Sequence, residues 1–380
     1  MSDIDVYLAD SRLIGMASGV FVCPCPRVSS PHEVAVHGII GQEVAKLLGR
    51  EFLGNCPEEQ IGKEGGYYIP ADTLVGSTGA FNNLAEDNFF GGLVRQRWMA
   101  TKAISHPLWG DAASAPEAWT PLFAELAGDS VLRGYTVFSL VDARRCGDEL
   151  LLGGAVRLKI PEGKACQGQV TVNTTQELVA ALTRLSTAAV EREGLVIEEN
   201  LTDVMTHSVG QINISGLKAS YVGTQNLTAD NAGRDVYGGS SLMMVRGGYD
   251  ELLRLRLAEA LKKSILQALR FESAAFASFD GLVLSRRNYD VAHGMNAVGE
   301  KVSGVLEQSW RIGGASSAEI FGLRRLCEQP ELSSVRTTSL ELYGHTAPPP
   351  SDAISLYQGD DPDVGYIAKY VRVVSDVCTN

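Results

Sequence analysis

The sequence predicts a mixed α/β and α+β protein: a short N-terminal α/β lobe, a small lid and a C-terminal lobe of antiparallel strands. Three observations carry that expectation. At 380 residues, 45% hydrophobic and 21% charged, the chain is long enough for two or three lobes around separate cores. Short apolar runs alternate with helical patterns, with no internal repeat or low-complexity tract. Finally, Ser303-Gly-Val-Leu-Glu-Gln-Ser-Trp-Arg-Ile-Gly-Gly314 presents Glu307, Ser309 and Arg311 at two-residue steps. Residues two apart on a strand share a face, so a carboxylate, a hydroxyl and a guanidinium would line one surface.

Residues 1–80 read as the α/β lobe. Glu33–His37 is a short strand, Ile40–Gly49 an amphipathic helix closed by glycine, and Tyr67–Ile69 a strand stopped by Pro70. Strand, helix, strand suggests a parallel unit, but without Gly-x-Gly-x-x-Gly it is not a dinucleotide site. Residues 81–135 connect onward through Trp98–Ile104, a loop with Pro107, Gly110 and Pro116, and a helix over Glu117–Ala127. Residues 136–200 have the scale of a lid. Strands Tyr135–Phe138, Ala155–Ile160 and Gly194–Glu198 flank a helix over Gln176–Glu193. In residues 201–330, strands over 205–225 precede a long Leu- and Arg-rich helix, Tyr249–Phe271. Two strands follow, Asp280–Val291 and Ser303–Trp310. Residues 331–380, with Pro348-Pro-Pro350, read as a small packed appendage.

Composition excludes several function classes. A net charge of −12 argues against nucleic-acid binding, which needs a basic face. No run of about 18 apolar residues is present, so no membrane span is expected. The acidic start, Met-Ser-Asp-Ile-Asp, lacks the basic region of a secretory leader. Seven cysteines without disulfide-like spacing fit reduced thiols and a cytoplasmic protein. Cys23-Pro-Cys25 lacks the second pair a zinc site needs and reads as structural thiols.

The chemistry-bearing positions come in a fixed order. Lys159 ends an alternating strand and is followed by a loop with Gly163 and Gly168. An ammonium there can reach phosphate oxygens while backbone N–H groups cover them. The alternative is a hairpin turn with a solvated lysine. Gly194-Leu-Val-Ile-Glu198-Glu199-Asn200-Leu201 is an apolar strand ending in two carboxylates, able to meet an adenine edge through its backbone or to end in a solvated turn. His207 and Gln211 could bond ribose or phosphate, or be satisfied locally. Asp290 stands seventeen positions before Glu307, with a glycine-containing turn between. Antiparallel pairing would set the two acids side by side. They would repel, and a divalent cation would remove that conflict.

This order of lysine, glycine loop, acidic hinge and Glu-x-Ser-x-Arg strand resembles the ATP-grasp superfamily over roughly residues 85–325. The resemblance implies an ATP-grasp fold, with residues 1–80 as a shortened Rossmann-like lobe. It implies ATP at Lys102 and Lys159, Gly163 to Gly168 over the phosphates, and Glu198 with the backbone of Glu199, Asn200 and Leu201 as the adenine hinge. His207 would be a further nucleotide contact. Asp290 and Glu307 resemble the two Mg²⁺ (or Mn²⁺) ligands, with Ser309 where the family usually has Asn. Arg311 matches the arginine that holds an acyl-phosphate, and Lys159 shares the catalytic role. In texture the chain is similar to the biotin carboxylase branch, through a hinge followed by a histidine and an Arg-Ile run. It departs at Ala315, where that branch has a catalytic glutamate, and it has no Met-Lys-Met biotinyl site. Overall it resembles a bacterial branch of the superfamily.

The resemblance further implies an ADP-forming carboxylate–amine ligase with small-molecule partners, and family habit suggests a homodimer. Arg286 and Arg287 are candidates to clamp the substrate carboxylate, and Tyr237 and Ser240 lie in a candidate substrate loop. On a strand at most one of the two arginines faces the site. The alternatives on the same fold are a non-catalytic ATP-binding module, motivated by Ser309 and Ala315, and a small-molecule kinase.

Overall fold

A computed structural model describes residues 19–374, apart from 26–29, 77–80, 82, 111–113, 164–167 and 345–348. The chain opens with β1 (Gly19–Cys23), α1 (Pro31–Leu48), β2 (Glu51–Asn55) and β3 (Tyr67–Pro70), forming a parallel sheet in the order β2-β1-β3. The expected parallel unit is present, but its first strand is β1. Glu33–His37, expected as a strand, forms the first turns of α1. Pro31 opens the helix and Glu33 sits in its first turn, where both suit the free N–H groups and the dipole. Val36, Ile40 and Val44 continue one apolar stripe. Gly49 closes the helix with φ of 61°, a backbone state that a side chain would oppose. Cys23 lies buried beside Cys56, sulfur to sulfur 2.9 Å, and both thiols are free.

The chain then runs through β4 (Leu74–Val75), β5 (Gly92–Val94) and α2 (Leu122–Ala127), the last being only the end of the helix expected from Glu117. The segment expected as a lid comprises β6 (Gly134–Val137), α3 (Leu140–Leu151), β7 (Val156–Lys159), β8 (Gln169–Val172), α4 (Thr175–Leu182), α5 (Thr187–Glu193) and β9 (Leu195–Glu199). Its antiparallel sheet has the order β6-β9-β7-β8. Two helices replace the one expected over Gln176–Glu193 because Ser186 starts a new one, its hydroxyl accepting from Ala189 N.

The C-terminal lobe holds β10 (Thr202–Ile214), β11 (Leu217–Ala229), β12 (Asp235–Arg246), α6 (Tyr249–Leu253), α7 (Glu259–Ser278), β13 (Val283–Leu284), β14 (Arg286–Met295), β15 (Lys301–Ser309) and α8 (Ser316–Glu328). The long helix expected over Tyr249–Phe271 is therefore broken between α6 and α7. The tail, expected as an appendage, supplies β16 (Ser334–Tyr343), β17 (Ile354–Asp361) and β18 (Gly365–Val374) to the same sheet. The resulting antiparallel order is β15-β14-β10-β11-β12-β16-β18-β17. No helix among the described residues is long and apolar enough to cross a membrane.

Strand alternation gives this sheet two covered faces. Val209, Val222, Val291 and Val305 pack with Ile265 and Phe271 of α7. Ile212, Tyr221, Leu242 and Met244 pack with Val44 of α1 and Ile320 and Leu323 of α8. Beneath the second face, the fully buried Arg286 meets the fully buried Glu319 of α8 through two bonds, Nε to Oε2 at 3.0 Å and Nη2 to Oε1 at 2.6 Å. Removing one partner of such a pair strands a charge in a dry interior, which destabilises by roughly 3–5 kcal/mol. Glu319→Ala is therefore expected to lose about that much unfolding free energy in urea titration. A change below about 1 kcal/mol would show the pair to be dispensable.

Candidate active site

The sheet register builds the site's acidic centre. Asp290 on β14 pairs directly with Glu307 on β15, and Asn288 with Ser309, so all four share a face. Burial, reinforced by the Glu307 charge, pushes the Asp290 carboxyl up to about 6. Asn288 donates to Asp290 Oδ1 at 2.9 Å, and Gln225 also bonds it; both oppose that rise. Lys102, buried in a 3-10 turn, brings its ammonium to 2.6 Å from Glu307 Oε2 and donates to the carbonyl of Gly163 in the lid loop.

A second cluster lies where the lid joins the body. Lys159, at the end of β7, and Glu198, near the end of β9, are each only 2% exposed. Lys159 Nζ is 2.5 Å from Glu198 Oε1, and His106 Nε2 is 3.1 Å from Glu198 Oε2. Burial alone would push the Glu198 carboxyl up. Lys159 and His106 more than offset this and hold it at about 2. Glu199 accepts from the backbone of Arg133 at 3.0 Å, and Asn200 Oδ1 accepts from Arg157 Nη2 at 2.7 Å. Leu201 is buried with Leu132, Ala292 and Leu306. Of the glycine loop, Gly163 and Gly168 are described, while 164–167 lie outside the described residues. The loop's near end is tied down by Arg97, whose Nε is 2.6 Å from Glu162 and whose Nη1 is 3.4 Å from Asp72.

The remaining predicted positions lie apart from these two clusters or beneath them. Ser309 Oγ accepts from Arg286 at 3.1 Å. Arg311 follows on the same strand end, with Nε 3.9 Å from Asp72, and burial lowers its pKa from the usual guanidinium range. Tyr237 and Ser240 bond each other at 2.7 Å, and the Tyr237 ring fills the space a side chain at Gly314 would take. Arg286 and Arg287 face opposite sides of the sheet and both are taken up internally. Arg286 holds Glu319 and the carbonyls of Ser309 and Arg311, and Arg287 holds Glu272 and Glu86. The structure does not bring His207 to Asp290. Ser208 is the partner of Asp290 in the register, so alternation turns His207 to the α7 side. There it bonds Ser264 at 2.8 Å beside His293, and burial holds it at about 4.

Sequence reasoning missed His106, Asn288, Arg97 and Asp72. Asn288 was accessible to it, since it precedes Asp290 by two and must share its face. His106 and Asp72 reach the site only through tertiary packing. The donors around Asp290 fit a hard divalent cation: two carboxylates and a hydroxyl, all oxygen. Among the described residues no group of three or more His, Cys, Asp or Glu gathers to enclose a metal.

The architecture is shared with solved structures. The carboxyaminoimidazole ribonucleotide synthase of Aspergillus clavatus, solved with ATP, superposes with a TM-score of 0.52 at 13% identity, covering 94% of each chain. The phosphoribosylamine–glycine ligase of Thermotoga maritima gives 0.50 at 13% identity, covering 93% of this chain and 91% of that one. The biotin carboxylase domain of the Hydrogenobacter thermophilus 2-oxoglutarate carboxylase, solved with MgADP and bicarbonate, gives 0.50 at 14%, covering 95% and 87%. These likenesses establish the ATP-grasp fold. No curated protein matches the sequence. A family described as "Protein of unknown function (DUF3182)" matches residues 20–371. With nearly its whole length matched, the chain belongs to that family and carries it on an ATP-grasp fold.

Proposed function

We propose that this chain is an ATP- and Mg²⁺-dependent ligase that activates a small-molecule carboxylate as an acyl-phosphate for capture by an amine or similar nucleophile. The observation that carries this reading is the register pairing of Asp290 with Glu307 beneath a lid contact made by Lys102. Two carboxylates side by side favour a divalent cation, and the lysines and Arg311 supply positive charge for phosphate oxygens. The fold shared with a ligase and with a synthase solved with ATP supports it further.

Asp290 and Glu307 would hold Mg²⁺ (or Mn²⁺), with Ser309 as an additional oxygen; bound there, the ion neutralises phosphate charge. Glu198 and the backbone of Glu199 to Leu201 orient the adenine, with Leu201, Ala292 and Leu306 as its apolar bed. Lys102 and Lys159 donate to phosphate oxygens under the loop from Gly163 to Gly168. A carboxylate oxygen of the substrate attacks the γ-phosphorus, and the bond to the β-phosphate oxygen breaks to release ADP. Arg311 and Lys159 stabilise the charge on the transferred group. The amine nitrogen then attacks the acyl carbon, phosphate leaves and the nitrogen loses a proton. Tyr237 and Ser240 flank the substrate end. Arg286 acts from below by fixing the backbone of Ser309 and Arg311. The closed lid keeps water from the acyl-phosphate.

Calorimetric titration with ATP is expected to show Mg²⁺-dependent binding that Asp290→Asn with Glu307→Gln removes. Retained metal dependence in that variant would take both acids out of the metal site. ADP and phosphate release that needs an acid and an amine together identifies the ligase. ADP without free phosphate would instead identify a kinase, and binding without turnover a nucleotide-binding module. Lys159→Ala is expected to weaken ATP binding at least tenfold, as loss of a charge-assisted contact of about 1.5–3 kcal/mol implies. Glu198 is held at about 2 against a reference value of 4.5, so the unfolded chain takes up its proton more readily than the folded one. Its contribution to stability is full above pH 4.5 and fades as pH falls towards 2. Glu198→Gln should flatten the stability–pH curve across that window, and an unaltered slope would show that the carboxylate is not depressed.

A further inference from the structure

In the buried cluster of Lys159, Glu198 and His106, the histidine alone comes from outside the lid segment. It follows directly on the 3-10 turn Lys102–Ser105. One short stretch of chain therefore carries two sets of contacts: Lys102 to Glu307 and to the carbonyl of Gly163, and His106 to Glu198. This stretch is fastened to the first strand of the lid segment. Thr136 of β6 donates its N–H to the carbonyl of Pro107 at 2.8 Å and its hydroxyl to the carbonyl of Ala103 at 2.7 Å. The strand also makes room for the acid. Gly134 stands opposite Glu198 in the register, and a Cβ there would come within 2.7 Å of the Glu198 Cβ.

The imidazole is committed to a single polar contact. Its residue is 1% exposed and lies among Trp98, Trp119 and Phe123. Nδ1 has no hydrogen-bond partner among the described residues, and the indole N–H of Trp98 goes to the carbonyl of Glu117. Nε2 faces Glu198 Oε2 at 3.1 Å. A carboxylate held ionised can only accept, so Nε2 carries the proton. A buried imidazole with one idle nitrogen is costly as mere packing.

Its value lies in what it does to the other oxygen. Lys159 Nζ sits on Glu198 Oε1 at 2.5 Å, and an ammonium can equally be gripped by both oxygens of a carboxylate. With Oε2 taken by His106, the lysine is held by one oxygen only. When the ammonium turns to another anion, Glu198 keeps a donor and is not left as a bare charge in a dry interior. Resting on the nucleotide reading above, we infer that His106 is a positioning residue for Lys159: by holding one oxygen of Glu198 it lets the lysine exchange that carboxylate for an ATP phosphate.

The test is calorimetric titration of the full chain with ATP and Mg²⁺, comparing wild type, His106→Leu, Glu198→Gln and the double variant. Leucine fills the space but donates nothing, so His106→Leu is expected to lose at least tenfold in ATP affinity. His106→Gln, which restores an N–H at the reach of Nε2, should return to within threefold of wild type. In the Glu198→Gln background no carboxylate competes for Lys159, and the leucine change should cost less than threefold. Circular dichroism melts read folding separately. If the leucine variant does not fold, His106→Asn, whose amide falls short of Glu198, takes its place with the same expected loss. Unchanged affinity without the histidine, an equal loss in both backgrounds, or a glutamine variant as weak as the leucine one would overturn the role of His106 alone. A wild-type chain that binds no ATP would instead overturn the nucleotide reading, and this role with it.

Discussion

The buried pair of Arg286 and Glu319 is the constraint on which the rest of the site rests. One guanidinium spends its donors on Glu319, on the hydroxyl and carbonyl of Ser309 and on the carbonyl of Arg311. It thereby joins β14, the end of β15 and α8 at one point. Tyr221 extends the network, donating to Glu319 at 2.6 Å and lying 2.9 Å from Asn288 Oδ1. Asn288 in turn donates to Asp290. A planar, permanently charged fork suits this work, and a lysine could not reproduce it. The network is dry and almost fully partnered, the condition under which buried polar groups specify one arrangement.

Upon that base the sheet sets up a deliberate conflict. Register pairing forces Asp290 and Glu307 together, and the Glu307 charge adds to burial in raising the Asp290 carboxyl. Lys102 relieves part of it from the Glu307 side. The hinge cluster is the opposite case, since Glu198 receives two cationic or donor partners and is held ionised. Burial pushes both acids up, and their neighbours then drive the two apart in pKa. Such divergence marks sites where charge is managed for chemistry.

Much of this was legible in the sequence, for reasons that differ by residue. Glu307, Ser309 and Arg311 could be placed on one face because a strand has a period of two, and Asp290 joined them by the length of the turn. Lys159 and Glu198 were readable as strand ends. The helix α1 was misread at its start because Val34 and Val36 favour strands locally, while Pro31 and the later apolar stripe decide for helix. Arg286 and Arg287 read as a clamp because their buried partners, Glu319 and Glu272, sit on distant helices. The tail gave no hint that it would complete the large sheet, since strand partners so far apart leave no local signal.

Lys102 shows how the parts of the proposed site would communicate. Its ammonium is shared between Glu307 in the body and the carbonyl of Gly163 in the lid. The strength of the first bond depends on the charge that Glu307 presents. Were Glu307 to spend that charge on a divalent cation, Lys102 would lose attraction in the body, and at distances near 4 Å the change would amount to a few kcal/mol at an effective dielectric of about 20. Its remaining partners are then the lid carbonyl and the arriving phosphate oxygens. Occupation of the acidic centre would therefore shift this lysine towards the lid, and Arg97, already bridging Asp72 and Glu162, would hold the neighbouring residue in place. In the proposed site, closure would in this way be tied to the charge state of the paired acids by one side chain, without any need for the lid segment to touch Asp290 itself.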